Sequence, residues 1–145
     1  MKLHHLFLLL ALSGLLFFPA AAQSTDPDAP TPLKSGAFSG TITTGGLSDS
    51  KTTYYTFDVD KGQLEVTLDV SPLNPSDGGG LISWTLLDSK FQQLRFENLA
   101  AQGTAQRQVK EIPVTIKRTI IMKVTAAGNA DYSFRLGGTG FRPKP

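Results

Sequence analysis

The sequence contains no cysteine, and its two histidines, His4 and His5, both lie near its beginning. The rest of the chain therefore lacks the side chains most often used as thiol nucleophiles, as proton carriers near neutral pH and as transition-metal ligands. Disulfide bonds are excluded too, so the fold must depend on packing and hydrogen bonds. These absences argue against most hydrolase and metalloenzyme chemistry.

Clustered positive charge is also missing. The chain has 14 lysine and arginine residues against 12 aspartate and glutamate residues, for a formal net charge of +2. The basic residues are scattered, and only Lys117 and Arg118 are adjacent. Because nucleic-acid binding requires a clustered basic face, we predict no nucleic-acid partner.

Residues 1–22 have the pattern of a secretory signal peptide. Lys2 supplies the positive charge, residues 6–18 (LFLLLALSGLLFF) form an apolar run, and residues 20–22 are three alanines. A membrane-spanning helix needs about 20 apolar residues, and this run is shorter. We therefore predict cleavage before Gln23 and a secreted or periplasmic protein with no stable membrane anchor.

The remainder of the chain divides by composition. Residues 23–35 (QSTDPDAPTPLKS) are rich in proline and polar residues and have no hydrophobic period, which predicts a flexible leader. Residues 36–140 predict one domain, and residues 141–145 a short tail.

Alternating hydrophobicity indicates strands from residue 36 onward. In residues 63–70 (QLEVTLDV) the aliphatic residues alternate with polar ones, which is typical of a half-buried strand. Tyr55, Phe57 and Val59 alternate just before it. Residues 60–62 (DKG) then predict a tight hairpin turn between these two strands.

Further strands follow at similar spacing. Residues 81–88 and 91–96 predict a hairpin, residues 104–111 an edge strand, and residues 126–130 (AAGNA) a turn between two closing strands. The first strand is expected at Phe38 to Ile42. About eight such strands predict an all-β fold, an antiparallel β-sandwich of jelly-roll-like form.

Two segments together resemble a known family. Residues 54–70 and 119–136 are similar to the bacterial pre-peptidase C-terminal domain, a β-sandwich appended to many secreted proteases and related to collagen-binding modules. The matching positions are an aromatic strand, a glycine turn, an aliphatic strand and a closing hairpin: Tyr55, Phe57, Gly62, Leu64, Val66, Leu68, Val124 and Tyr132. The resemblance implies a binding module. Residues 78–84 (GGGLISW) replace the paired aspartates of many members, so it implies no calcium role there.

Catalytic patterns are weak. Ser48 and Lys51 match the Ser-x-x-Lys spacing, but that motif needs a helical turn, and its surroundings predict a turn leading into a strand. Asp58, Glu65 and Asp69 fall on polar positions of the predicted strands, and solvated faces account for them.

Two kinds of binding site are left open. Calcium requires only oxygen ligands, and the candidates are Asn74, Asp77 and Asp88 around the glycine-rich loop, or alternatively Asp58 and Asp60. A polar loop is the competing interpretation.

Exposed aromatic rings suit a glycan or peptide. The candidates are Tyr54, which alternates outward against Tyr55, Phe91, which follows a turn, and Phe141 in the tail.

The sequence thus predicts an exported, non-catalytic β-sandwich module that binds a protein, a glycan or an envelope surface. One alternative is a small secreted hydrolase that uses carboxylates only. Another is a structural subunit of an envelope assembly that pairs through an exposed strand edge.

Overall fold

The structure is a computed structural model that describes residues 23–145, so the predicted signal peptide lies outside the described residues. This part of the chain contains nine strands and no helix. The strands are β1 (Thr31–Pro32), β2 (Ala37–Thr43), β3 (Ser50–Val59), β4 (Gly62–Pro72), β5 (Gly80–Leu87), β6 (Gln93–Ala101), β7 (Gln106–Val114), β8 (Arg118–Gly137) and β9 (Phe141–Arg142).

The strands form two sheets that pack face to face. In sheet A, β1 and β9 flank β3, which is followed by β8, β5 and β6. Sheet B has the order β2, β8, β4, β7. All pairings are antiparallel except the two-residue contact of β1 with β3. The predicted all-β sandwich is therefore confirmed.

Strand β8 belongs to both sheets. Its first half, up to Gly128, pairs with β3 and β5 in sheet A, and residues 129–137 pair with β2 and β4 in sheet B. The predicted turn at residues 126–130 is wrong, because the chain bends there without reversing. Gly128 makes the bend possible: its φ is +87°, and a Cβ atom there would lie 2.3 Å from the Gly79 carbonyl oxygen.

The hairpin predicted at residues 60–62 is also wrong. The turn exists, but β3 pairs within sheet A and β4 pairs with β7 and β8 in sheet B. It therefore carries the chain from one sheet to the other. Alternation specifies which side of a strand is buried and says nothing about its neighbour.

The core lies between the sheets and contains the residues predicted to face inward. Five of these residues are fully buried: Trp84, Phe57, Phe134, Leu68 and Ile82. The alternation of each strand explains their burial, because successive side chains point to opposite faces. One outward residue departs from the prediction of a wet face. Thr67 is only 6% exposed, because Val109 and Arg135 lie beside it on the neighbouring strands.

The predicted hairpin of β5 with β6 and the predicted edge position of β7 are confirmed. The segment predicted as a flexible leader makes contacts with the sandwich. Strand β1 lies against β3, Leu33 is 5% exposed, and the Tyr54 amide donates to the Ser24 carbonyl oxygen at 2.8 Å. In the predicted tail, the Phe141 ring lies 5.6 Å from that of Phe57. Leu33 and Phe141 are apolar residues in polar segments, and their burial holds both segments to the sandwich.

Candidate functional site

A groove of about 610 Å³ crosses all four strands of sheet B. Volumes of this size are typical of ligand sites. Its lining comes from β2, β4, β8 and the beginning of β7: Ser39, Gly40, Thr41, Asp69, Val70, Ser71, Ala105, Gln106, Arg107, Asp131, Tyr132 and Ser133.

The groove exists because small side chains occupy its centre. The register places Ser39, Ser133, Asp69 and Arg107 side by side across the four strands. The serines on β2 and β8 leave that side of the floor low, and the longer side chain of Arg107 on the edge strand β7 forms one wall. In the next row, Thr41, Asp131 and Ser71 repeat the hydroxyl-rich pattern.

The carboxylates of Asp69 and Asp131 are fixed by hydrogen bonds. Arg107 Nε donates to Asp69 Oδ1 at 2.5 Å, its second nitrogen reaches Asp69 Oδ2 at 3.3 Å, and an Arg135 nitrogen lies 3.6 Å from Oδ2. The hydrogen bond to Asp69 raises the pKa of Arg107. In the other row, Thr41 Oγ1 donates to Asp131 Oδ1. The groove therefore presents paired donors and acceptors in a fixed arrangement.

The two carboxylates of the groove occupy diagonal positions on β4 and β8. Asp69 lies opposite Ser133, two residues from Asp131, so their Cα atoms are about 7–8 Å apart. Carboxylate hydrolases place their two carboxyl groups roughly 5–9.5 Å apart, and side chains on Cα atoms with this spacing can reach that separation. However, both oxygens of Asp69 contact guanidinium groups, and a carboxylate held in this way is poorly placed to donate a proton.

The serines of the groove lack an activating base. No lysine is among the lining residues, and the sequence has no histidine beyond His5. Ser48 and Lys51 lie elsewhere, in a turn and at the beginning of β3, which is the non-helical context predicted for them. A nucleophile needs a base within hydrogen-bond reach, and neither a lysine nor a histidine provides one to the serines that line the groove.

The predicted aromatic site residues are not in this groove. Tyr54 points outward from β3 on sheet A, on the opposite side of the sandwich, and is half-buried. Phe91 is 45% exposed in the turn between β5 and β6, with a φ of 60°. Phe141 packs against the core rather than facing solvent.

A row of side chains across sheet A was missed by the sequence analysis. The register aligns Phe96, Thr85, Lys123 and Tyr54 on adjacent strands, so the two aromatic residues are about 14 Å apart. Phe96 is 49% exposed. Its outward position could have been found from the hairpin, because Phe96 pairs with the outward residue Thr85.

The calcium candidates are divided between the two ends of β5. Asn74 and Asp77 lie in the loop before this strand and Asp88 lies after it, about 26 Å away along eight residues. Asp88 Oδ1 accepts the amides of Gln92 and Lys90, and these hydrogen bonds lower its pKa. Within residues 23–145, no three carboxylate or imidazole groups are close enough to share a metal ion.

The two aspartates of the alternative calcium site are hydrogen-bonded to other groups of the chain. Asp58 Oδ1 accepts hydrogen bonds from Lys144 Nζ and Thr119 Oγ1, each at 2.6 Å. Asp60 Oδ1 accepts the Lys61 amide at 2.9 Å within its turn. Both carboxylates therefore already hold internal partners.

Comparison with known proteins gives matches in structure only. No protein-family model matches the sequence, and no curated protein does. Among solved structures, the chain is similar to an arabinose-bound α-L-arabinofuranosidase, with 16% identity, 79% of this chain and 22% of that one covered, and a TM-score of 0.45. It is similar to a family 4 carbohydrate-binding module, with 6% identity, 64% and 61% covered, and a TM-score of 0.46. It is also similar to the pre-peptidase C-terminal domain of a collagenase from Bacillus anthracis, with 13% identity, 70% and 87% covered, and a TM-score of 0.38. The chain thus spans less than two thirds of the first two of these proteins.

The part of the chain from Gln23 to Pro145 has no helix that could cross a membrane.

Proposed function

We propose that this protein is an exported, non-catalytic β-sandwich module that binds a glycan in the groove of sheet B. The observation that carries the proposal is the groove itself, in which hydroxyl, guanidinium and carboxylate groups are held side by side across four strands. The export signal predicted for residues 1–22 favours a secreted or periplasmic location, where glycans are accessible.

The chemistry of the groove matches that of a sugar ring. Neighbouring hydroxyls of a sugar act as both donor and acceptor, and planar carboxylate and guanidinium groups can bind two such hydroxyls at once. Asp69 and Arg107 supply one such pair, and Asp131 with Thr41 supplies another. The serine floor leaves room for a ring and offers further hydrogen bonds.

The net charge of the groove also favours an uncharged ligand. Arg107 and Arg135 are balanced by Asp69 and Asp131. An anionic or cationic polymer would be attracted by one of these pairs and repelled by the other, so it would gain no net attraction while losing the hydration of its charges. We therefore expect neutral polysaccharides to bind better than acidic ones.

The test is calorimetry with soluble neutral polysaccharides on four variants. Arg107→Ala removes a wall, and Ser133→Gln fills the floor. Each should weaken binding by about tenfold or more, since contacts at the centre of a site contribute most of the affinity. Tyr54→Ala and Lys123→Ala change the opposite face and serve as matched controls that should bind normally.

Three outcomes would contradict the proposal. Loss of binding in Tyr54→Ala with normal binding in Arg107→Ala would move the ligand to the aromatic row of sheet A. Absence of binding to every polysaccharide would favour a protein ligand. Release of sugar products that stops in Asp69→Asn or Asp131→Asn would show a carboxylate hydrolase.

A further inference from the structure

Strand β6 forms an open edge of sheet A. It pairs only with β5, and no other strand of residues 23–145 forms a ladder with its free side. Leu94 is 43% exposed and Phe96 is 49% exposed along this edge. An unpaired edge of nine residues with exposed apolar side chains is a template for another strand.

Two of the other three edges of the sandwich are blocked, and the third, β2, has the Ser39 carbonyl oxygen occupied by Gln23 Nε2 at 3.1 Å. The outer edge of β3 is covered by β1 and β9, and the edge strand β7 contains Pro113, which cannot donate to a further strand. Strand β6 has neither proline nor lysine, which commonly block edges, and its two charged residues, Arg95 and Glu97, are of opposite sign. Gln108 Nε2 occupies the Asn98 carbonyl oxygen at 3.0 Å, which leaves residues 93–97 as the open stretch.

The charges of this stretch are complementary to themselves. Arg95 and Glu97 stand on either side of Phe96, and Arg95 Nε donates to Glu97 Oε1 at 2.7 Å within the chain. In an antiparallel pairing of two β6 strands centred on Phe96, position 95 of each copy lies opposite position 97 of the other, so the paired stretch is residues 95–97 and stops short of the occupied Asn98 carbonyl oxygen. Each arginine then faces one glutamate of the other copy, which gives two such pairs across the interface, and the two phenylalanines face each other.

We propose that two copies of this chain associate through β6 in this register, which joins their A sheets into one continuous sheet. Two-fold symmetric dimers are the commonest homo-oligomers, and antiparallel pairing of two identical strands has this symmetry. Phe96 points to the outer face, opposite Phe96 of the other copy, so part of its exposed surface becomes covered. The second copy is the occupant that this edge fits because its charge pattern is palindromic.

The charges of Arg95 and Glu97 disfavour the neighbouring registers. A pairing centred on Glu97 would place the two glutamates opposite each other, and one centred on Arg95 would do the same with the arginines. Like charges directly opposite on adjacent strands are destabilising. Lys110 Nζ, from β7 of the same chain, lies 3.1 Å from Glu97 Oε2. This ion pair would be kept in the register centred on Phe96.

Association through β6 leaves the groove of sheet B free, since the two surfaces belong to different sheets. A dimer would thus carry two grooves on one rigid frame. The inference does not rest on the proposed function, and it would hold for any ligand of the groove.

The test is sedimentation velocity on protein purified after expression of the full chain. The wild type should sediment with twice the monomer mass. Arg95→Glu alone and Glu97→Arg alone should be monomers, because each places like charges opposite one another. The double variant R95E/E97R should be a dimer again, because the exchange restores both pairs.

Mixing the two single variants gives the sharpest result. One copy then carries only glutamates at these positions and the other only arginines, so an equimolar mixture should form a heterodimer although neither variant dimerises alone. Lys123→Glu, a charge reversal on the same sheet away from the edge, is the matched control and should remain a dimer. Circular dichroism on each variant checks folding, and Phe96→Thr offers a second, uncharged way to remove the contact, expected to be monomeric.

A wild-type chain that remains monomeric at all concentrations would overturn the proposal. So would a dimer that persists in folded Arg95→Glu and Phe96→Thr, since it would use another surface. Failure of the mixed single variants to associate would overturn the register.

Discussion

The indole nitrogen of Trp84 in sheet A donates a hydrogen bond to Gln108 Oε1 in sheet B at 3.2 Å. The same glutamine uses its Nε2 to hold the Asn98 carbonyl oxygen. One amide therefore ties β5, β6 and β7 together at the side of the sandwich where the sheets have no shared strand. Trp84 is fully buried, so its N–H has no access to solvent as an alternative partner.

Replacing Gln108 with leucine should destabilise the protein by about 1–3 kcal/mol, because the buried Trp84 N–H loses its acceptor. The free energy of unfolding in urea measures the effect. Gln106→Leu is the matched control, since the amide of Gln106 bonds only to the exposed Thr104 hydroxyl, and it should change stability by less than about 0.5 kcal/mol. Equal effects would mean that the Trp84–Gln108 hydrogen bond contributes little.

Tyr55 should make the protein sensitive to alkaline pH. Its hydroxyl is buried and, like that of Thr53, has no hydrogen-bond partner among the described residues. Burial raises its pKa to about 12, whereas an unfolded tyrosine titrates near 10. The contribution of the protonated Tyr55 hydroxyl to stability is therefore fully present below about pH 10. The free energy of unfolding falls by roughly 2–3 kcal/mol as the pH approaches 12.

Tyr55→Phe should remove the loss of stability at alkaline pH that Tyr55 causes. The substitution should leave the free energy of unfolding near neutral pH unchanged, since no hydrogen bond is broken. Urea unfolding at pH 7 and pH 11 for both proteins gives the difference directly. If the variant loses as much stability as the wild type between these conditions, the hydroxyl is not the titrating group.

Gly128→Ala should destabilise the protein by more than about 2 kcal/mol. The backbone there has a positive φ, and the new Cβ atom would meet the Gly79 carbonyl oxygen, so strain and a steric clash add together. Gly45→Ala is the matched control, because a Cβ atom at Gly45 meets nothing within 4 Å. Thermal unfolding of both variants tests this, and similar melting temperatures would show that the bend adapts.

Lys144 should stabilise the protein in a pH-dependent way. Partial burial disfavours the charged form of Asp58, but the hydrogen bonds from Lys144 and Thr119 outweigh it and lower its pKa. A lowered pKa stabilises the fold above the unfolded value, near 3.9, and this stabilisation is lost as the pH falls through the folded value.

Lys144→Met should therefore lower the unfolding free energy at pH 7 by up to about 1 kcal/mol. The difference from wild type should shrink in acid. Unfolding in urea across an acid pH series checks this, and a difference that stays constant through the whole series would mean that Lys144 acts through packing alone.

The buried faces of the strands could be predicted from the sequence because alternation is a local property. Val66 and Leu68, like Trp84, lie where their alternation placed them. The burial of Thr67 could not be predicted, because it depends on which residues of β7 and β8 lie beside it. The hairpin predicted at residues 60–62 is wrong for the same reason, because the partners of β3 and β4 come from distant parts of the chain.

The groove was invisible to the sequence because its parts are chemically ordinary and far apart in the chain. Ser39 and Ser133 come from strands separated by most of the domain and meet only through the register of β2 with β8. The aromatic residues drew attention because rings are conspicuous in a sequence. A gap left by small side chains has no such signature.

Strand β8 has a consequence for the order of folding. It is the central partner of β2, β3, β4 and β5, and it follows all four in the chain. Neither sheet can close until residues 118–137 are available, so a ribosome or a translocation channel that releases the chain from its N-terminus delivers unpaired strands until then. Once β8 enters, both sheets are completed by the same segment, and the sandwich should form, and be lost, in a single cooperative step.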